Sequence, residues 1–205
     1  MKLALMLFLA AAVLPAFFGR LRSAPSWLAL QAAALAWASM ARHGEPTAHA
    51  FAAVAELLLV RGLVAPLLLR RAIRDHGGPN IELMPGNLFV WAIAIALIAL
   101  AFEFGATDIG DPHALALGAV AGTVAVALLL LATSDRPPAQ LVAVLFIENA
   151  IALFETLLPE PWPLPVHVAL SAVYLLTVAV GAWLIGRAGP RAEAARQAAD
   201  GGGAS

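Results

Sequence analysis

Residues 141–158 read LVAVLFIENAIALFETLL. The run contains neither proline nor glycine, and at about 1.5 Å per residue it crosses most of a hydrocarbon core of about 30 Å. Its interior is broken by Glu148 and the adjacent Asn149, with no cation within reach on the same helix. An ionisable group near a bilayer centre costs about 2.5–3.5 kcal/mol on insertion scales, which makes Glu148 a functional-site candidate by default. A second apolar run, 47–70, is interrupted in the same manner by Glu56 and Arg61.

Composition places these runs in a wider hydrophobic context. The chain is 62% hydrophobic and 12% charged, against roughly 45–50% and about 25% for soluble domains. That balance is the polytopic membrane class, and a formal net charge of −1 gives no case for a nucleic-acid partner. No cysteine is present, so thiolate-held iron–sulfur clusters, Cys-ligated zinc, disulfides and thiol catalysis are excluded. The histidines are scattered singly, and no HExxH, P-loop or GxSxG occurs. Neither a metal site nor a hydrolytic site is therefore expected, and no cofactor is assigned to this chain.

The fold expected is all-α, a polytopic membrane bundle of about seven spans at 2–19, 26–41, 47–70, 85–104, 113–133, 139–158 and 165–187. The bundle would occupy 1–188, followed by a polar cytoplasmic tail, 189–205, expected to fray into disorder. Pro25, Pro46, Pro85, Pro112, Pro138 and Pro165 stand at or near the first helical positions, where a missing N–H costs nothing. The first stretch, LALMLFLAAAVLPAFF, also has the make-up of a signal peptide. Its apolar length favours the reading as a first span. Arg20 and Arg22, then Arg70, Arg71 and Arg74, then Arg136, then Arg187, Arg191 and Arg196 fall in alternate loops. Asp108, Asp111 and Glu160 fall in the others, so the positive-inside rule puts the N-terminus outside and the C-terminus in the cytoplasm.

The intramembrane charges carry the functional reading. Glu148 is either a proton carrier or a static, hydrogen-bonded packing group. Glu155, two turns on, shares its face, whereas Asn149 points away from it. In the third span Glu56 and Arg61 are five residues apart, about 140° on an ideal helix, so each is expected to face a different neighbour. His49 shares the face of Glu56. Arg61 is a fixed charge that cannot carry protons, and an interhelical ion pair is the structural alternative for this region. Pro66 removes the helical donor for the Gly62 carbonyl, which predicts a kink just after Arg61. His167, Ser171 and Tyr174 line one face of the last span, able to hold water or to meet another helix. Gly118 and Gly122 fit a small-xxx-small helix contact.

Two of these segments resemble a known family. RPPAQLVAVLFIENAIALFETLL (136–158) looks like the arginine, apolar stretch and Met-Glu-Asn helix of the component E membrane subunit of hydrogenase-4 and formate hydrogenlyase-type complexes, with Ile147-Glu148-Asn149 in the motif's place. LLVRGLVAPLLLRR (58–71) is similar to that family's charged residue followed by proline, matched by Arg61 (usually Lys in the family) and Pro66. Spans 113–187 resemble the three-helix K subunit of complex I and the C subunit of multisubunit cation/proton antiporters, which carry a carboxylate in the position of Glu148. The last span departs from those relatives in having no acid.

The resemblance implies a non-catalytic subunit of an oxidoreductase complex in a prokaryotic inner (cytoplasmic) membrane. Its partners would be antiporter-like membrane subunits and a soluble redox module, with iron–sulfur, nickel–iron or quinone held only by those partners. Glu148 would then contribute to a lateral proton path. Two other readings stay open: a structural adaptor without a transport role, and a stand-alone small transporter. The latter lacks the internal repeats and paired broken helices of that class.

Overall fold

The computed structural model describes residues 1–43, 48–75, 82–84, 86–105, 111–158, 162 and 164–201. Helix α1 (Lys2–Phe18) is followed by a short 3-10 turn and α2 (Ala24–His43). Helix α3 (Ala48–Leu57) runs through a π-helical segment, Leu58–Val64, into α4 (Ala65–Asp75). Then come α5 (Leu88–Gly105), α6 (Pro112–Thr133), α7 (Pro137–Glu155) and α8 (Leu164–Gly201). Taking α3, the π segment and α4 as one rod, the helices fall where the seven apolar runs lie. No strand occurs among the described residues.

Local chemistry starts the helices. The Asp111 carboxylate accepts the His113 backbone N–H at 3.0 Å, with Pro112 in the first turn of α6. Pro137 and Pro138 open α7 directly after Arg136. Pro46 and Pro85, expected in the same role, lie outside the described residues.

Four stretches are long and apolar enough to cross a membrane: Phe51–Arg74, Pro112–Thr133, Pro137–Glu155 and Pro165–Arg187. Lys2–Phe18 and Leu88–Glu103 are shorter apolar helices. Together they mark a membrane-embedded, all-helical protein.

Packing without a hydrophobic drive from water relies on close contact between small side chains. Ala4, Phe8, Ala12 and Ala16 form the buried stripe of α1, and Ala24, Leu28, Gln31, Leu35 and Ala38 that of α2. These two helices pack together, α1 also against α6, and α5 against α6. Gly118 does not bring two backbones together as its spacing suggested. A Cβ there would meet the Phe102 ring at 2.7 Å, so the glycine makes room for an aromatic side chain of α5. Phe17 and Phe18 of α1 close over Trp91 of α5 with edge-on ring contacts at 5.6 and 5.7 Å.

Helix α7 is the centre, with 56% of its apolar window buried, and it contacts α2, α6 and α8. Helix α8, with only 17% buried, lies on the outside against α4 and α7. That arrangement puts Glu148 and its neighbours on the seam between the most and the least enclosed of the four long apolar stretches.

Candidate functional site

Arg61 is the pivot of the seam. It sits inside the π segment, and its side chain is only 5% exposed. The guanidinium donates from Nη1 to Asn149 Oδ1 at 2.9 Å and stacks over the Tyr174 ring, 4.1 Å from the centroid. Asn149 passes the connection on, donating from Nδ2 to Gln31 Oε1 at 2.9 Å. One polar chain therefore ties α2, α7, the π segment and α8 together. Its hydrogen-bond and ring partners are neutral, so a fixed charge is held by a dipole and a π face. Among the described residues Arg61 makes no ion pair within 4 Å, and it does not pair with Glu56 of its own rod.

Glu148 faces the other way from Asn149, as adjacent helical positions must. Its Oε1 accepts a hydrogen bond from Thr177 Oγ1 of α8 at 2.9 Å. A cavity of about 180 Å³ opens beside it, lined by Arg61, Glu148, Glu155, His167 and Ser171 with apolar walls from Leu57, Ile151, Ala152, Leu170 and Val173. His167 bridges two carboxylates: Nδ1 lies 3.3 Å from Glu155 Oε1, and Nε2 lies 3.4 Å from Glu56 Oε2. The former has hydrogen-bond geometry. The Glu56 approach is close but misaligned, and the facing atoms count as unpaired by hydrogen-bond geometry.

Buried polar atoms without protein partners cluster here. Arg61 Nε, Glu148 Oε2, Glu56 Oε1 and Tyr174 Oη are buried without a hydrogen-bond partner in the protein, and His167 Nε2 and Glu56 Oε2 have only each other, at 3.4 Å. Leaving such atoms dry costs roughly 1–3 kcal/mol each. Of these residues Arg61, Glu148 and His167 line the cavity, whose walls are otherwise mostly apolar.

Glu56 and Arg61 meet different residues, Glu56 His167 of α8 and Arg61 Asn149 of α7, but both also reach α8, where Arg61 stacks on Tyr174. The physical reason is the π segment between them. Bonds of the i→i+5 type, such as Ala65 N–H to Val60 O, add a residue to each turn and bring positions five apart nearer to one face. The irregularity predicted after Arg61 from Pro66 accordingly takes the form of a widened helix that contains Arg61 and ends just before the proline. The side chain of His49 lies outside those described.

Two participants had escaped notice, Gln31 and Thr177. Gln31 occupies the inward register of Ala24, Leu28, Leu35 and Ala38, and a polar residue on a buried stripe is the signal that could have found it. Thr177 lies one turn beyond Tyr174 on α8. Ser171 lines the cavity, while Tyr174 is fully buried beneath Arg61 and serves as its stacking floor.

Comparison with protein-family models, curated proteins and solved structures finds no match to this chain.

Proposed function

We propose that this chain is an accessory integral-membrane subunit of a complex I-like or hydrogenase-4-like redox-linked assembly, and that it contributes part of a proton path. The observation that carries the reading is the cavity between the π segment, α7 and α8. It gathers Glu148, Glu155, His167 and a buried arginine around unpaired polar atoms, inside a bundle that otherwise reads as hydrocarbon. Titratable groups this deep are expensive and face water-filled interiors where they persist.

The proposed order of groups follows from placement. His167 and Glu155 lie toward the α7–α8 connection, and Glu148 lies two turns deeper on α7. Glu56 and Glu155, bridged by the imidazole, form the outer station, and water in the cavity links it to Glu148. Ser171 offers a hydroxyl on the way. Arg61 biases the path electrostatically without exchanging protons itself. The last span's lack of an acid is compensated by His167, whose imidazole can carry a proton between carboxylates.

In this reading seven helices span the membrane with the C-terminus in the cytoplasm of a prokaryotic cell. Antiporter-like subunits and a redox module would be the partners. Copurification of the tagged full chain from native membranes tests this directly. Recovery with antiporter-like and redox subunits is expected, and recovery of the chain alone would sink the reading.

A second reading is a structural adaptor, favoured by the Gln31–Asn149–Arg61–Tyr174 chain, which latches four elements whether or not protons move. Ion translocation by the intact complex carrying Glu148→Gln separates the two.

A further inference from the structure

On the opposite side of the π segment from Arg61 runs a second depression, a groove of about 1080 Å³ between the start of α2 and the face formed by Gly62, Leu63, Pro66 and Leu67. We propose that this groove is a binding site for an anionic phospholipid, seated with its headgroup among arginines and an acyl chain along the floor.

Three features argue for that occupant. The charge is one-sided: Arg20, Arg22, Arg70 and Arg74 line one end, and no acid is among the described residues lining the groove. Arg20, Arg22 and Arg70 are solvent-exposed. The loop bearing Arg20 is braced by a backbone bridge to Glu82 and by the Leu83 N–H on Gly19 O at 3.2 Å. Basic pockets of this kind between membrane helices suit phosphate headgroups.

The floor is apolar and shallow because Ala29, Gly62 and Pro66 present little side chain. Leu63 and Leu67 stay 52% and 49% exposed along it. Dimension supplies the third argument. Eight residues separate Gly62 from Arg70, about 12 Å at helical rise, close to the depth of one hydrocarbon leaflet of about 15 Å. A free phosphate would fill only the arginine end. The volume matches the upper range of small-molecule pockets, roughly 300–1,000 Å³.

The test uses the full chain purified in detergent, titrated separately with phosphatidylglycerol, phosphatidylcholine and inorganic phosphate. Lipid adducts are read by native mass spectrometry and stability by thermal melting. Phosphatidylglycerol should be retained and should raise the melting midpoint, phosphatidylcholine should do so weakly, and phosphate should not displace the lipid at millimolar concentration. Arg22→Gln combined with Arg70→Gln should lower phosphatidylglycerol affinity about tenfold or more. Ser26→Trp, which fills the floor, should lower affinity for the lipid while leaving the arginines intact.

Equal retention of both lipids by the parent chain would overturn the proposal, and this comparison needs no variant to fold. Full displacement by phosphate would reduce the site to an anion patch and overturn the lipid assignment. A polyglutamate peptide that stabilised the chain as strongly as phosphatidylglycerol would assign the arginines to an acidic protein partner instead.

Discussion

Arg61 is buried with a stacked ring on one side and a single amide oxygen on the other, and these contacts set what its replacements should do. Arg61→Ala removes a charge-assisted hydrogen bond of about 1.5–3 kcal/mol and a cation–π contact of about 0.5–2 kcal/mol. Arg61→Lys can still reach Asn149, but a compact ammonium loses the planar stacking on Tyr174. Unfolding in mixed detergent should therefore rank the parent above Lys and Lys above Ala. Equal, mild losses would show that the Tyr174 and Asn149 contacts contribute little.

At Glu148 the expectation reverses, with stability kept and transport lost. Glu148→Gln retains an oxygen that can accept the Thr177 hydroxyl, so stability should change by no more than about 1 kcal/mol. On the proposed proton path, translocation should fall steeply, because the amide cannot release a proton. A Gln variant that assembles and translocates like the parent would leave Glu148 a packing group. His167→Ala should slow translocation as well, by separating Glu56 from Glu155, while the Arg61 network stays intact.

At the scale of elements, α8 is held to the bundle through close contacts at a few positions. A Cβ at Gly181 would come within 2.6 Å of Leu141 Cδ1 of α7, whereas one at Gly186 would meet nothing within 4 Å. Gly186→Ala should therefore stabilise by up to about 1 kcal/mol through helix propensity. Gly181→Leu should cost about 1–3 kcal/mol by overpacking the α7–α8 seam. Matched thermal melts of the two variants check the contrast, and equal effects would argue that α8 is not seated against α7 as described. The same seam encloses the cavity, so the Gly181 variant should also perturb transport, and Gly186→Ala should not.

For the whole molecule the decisive measurement is sidedness. The chain has no cysteine, so single cysteines report without a background. Arg74→Cys should be labelled only from the cytoplasm and Asp108→Cys only from outside. Reversed labelling would invert the bundle and put the arginine groove in the outer leaflet. The two hydrophobic clusters show how α1, α2, α6 and α7 run relative to one another. One joins the start of α1, the end of α2, the start of α6 and the end of α7, and the other joins their opposite ends with α4 and α8.

Much of this protein was determined by the sequence alone. Helical class, the position of each rod and the inward-facing acids at Glu148 and Glu155 follow from apolar length, proline placement and a period of 3.6 residues, all of them local properties. The pairing of charges was not local. Whether Arg61 meets Glu56, Glu148 or Asn149 depends on how the helix is wound between residues 58 and 64 and on which helices stand beside it. An i→i+5 turn changes the phase of a face without leaving a mark in hydrophobic spacing. Gln31 and Asn149 lie 118 residues apart, and only packing could make them one network. His167 reads as an ordinary residue at a helix start until α3 and α7 each place a carboxylate beside it. Composition put the charges in the membrane, and the tertiary structure chose their partners, because burial forces each polar atom to bond with whatever the neighbouring helices bring within reach.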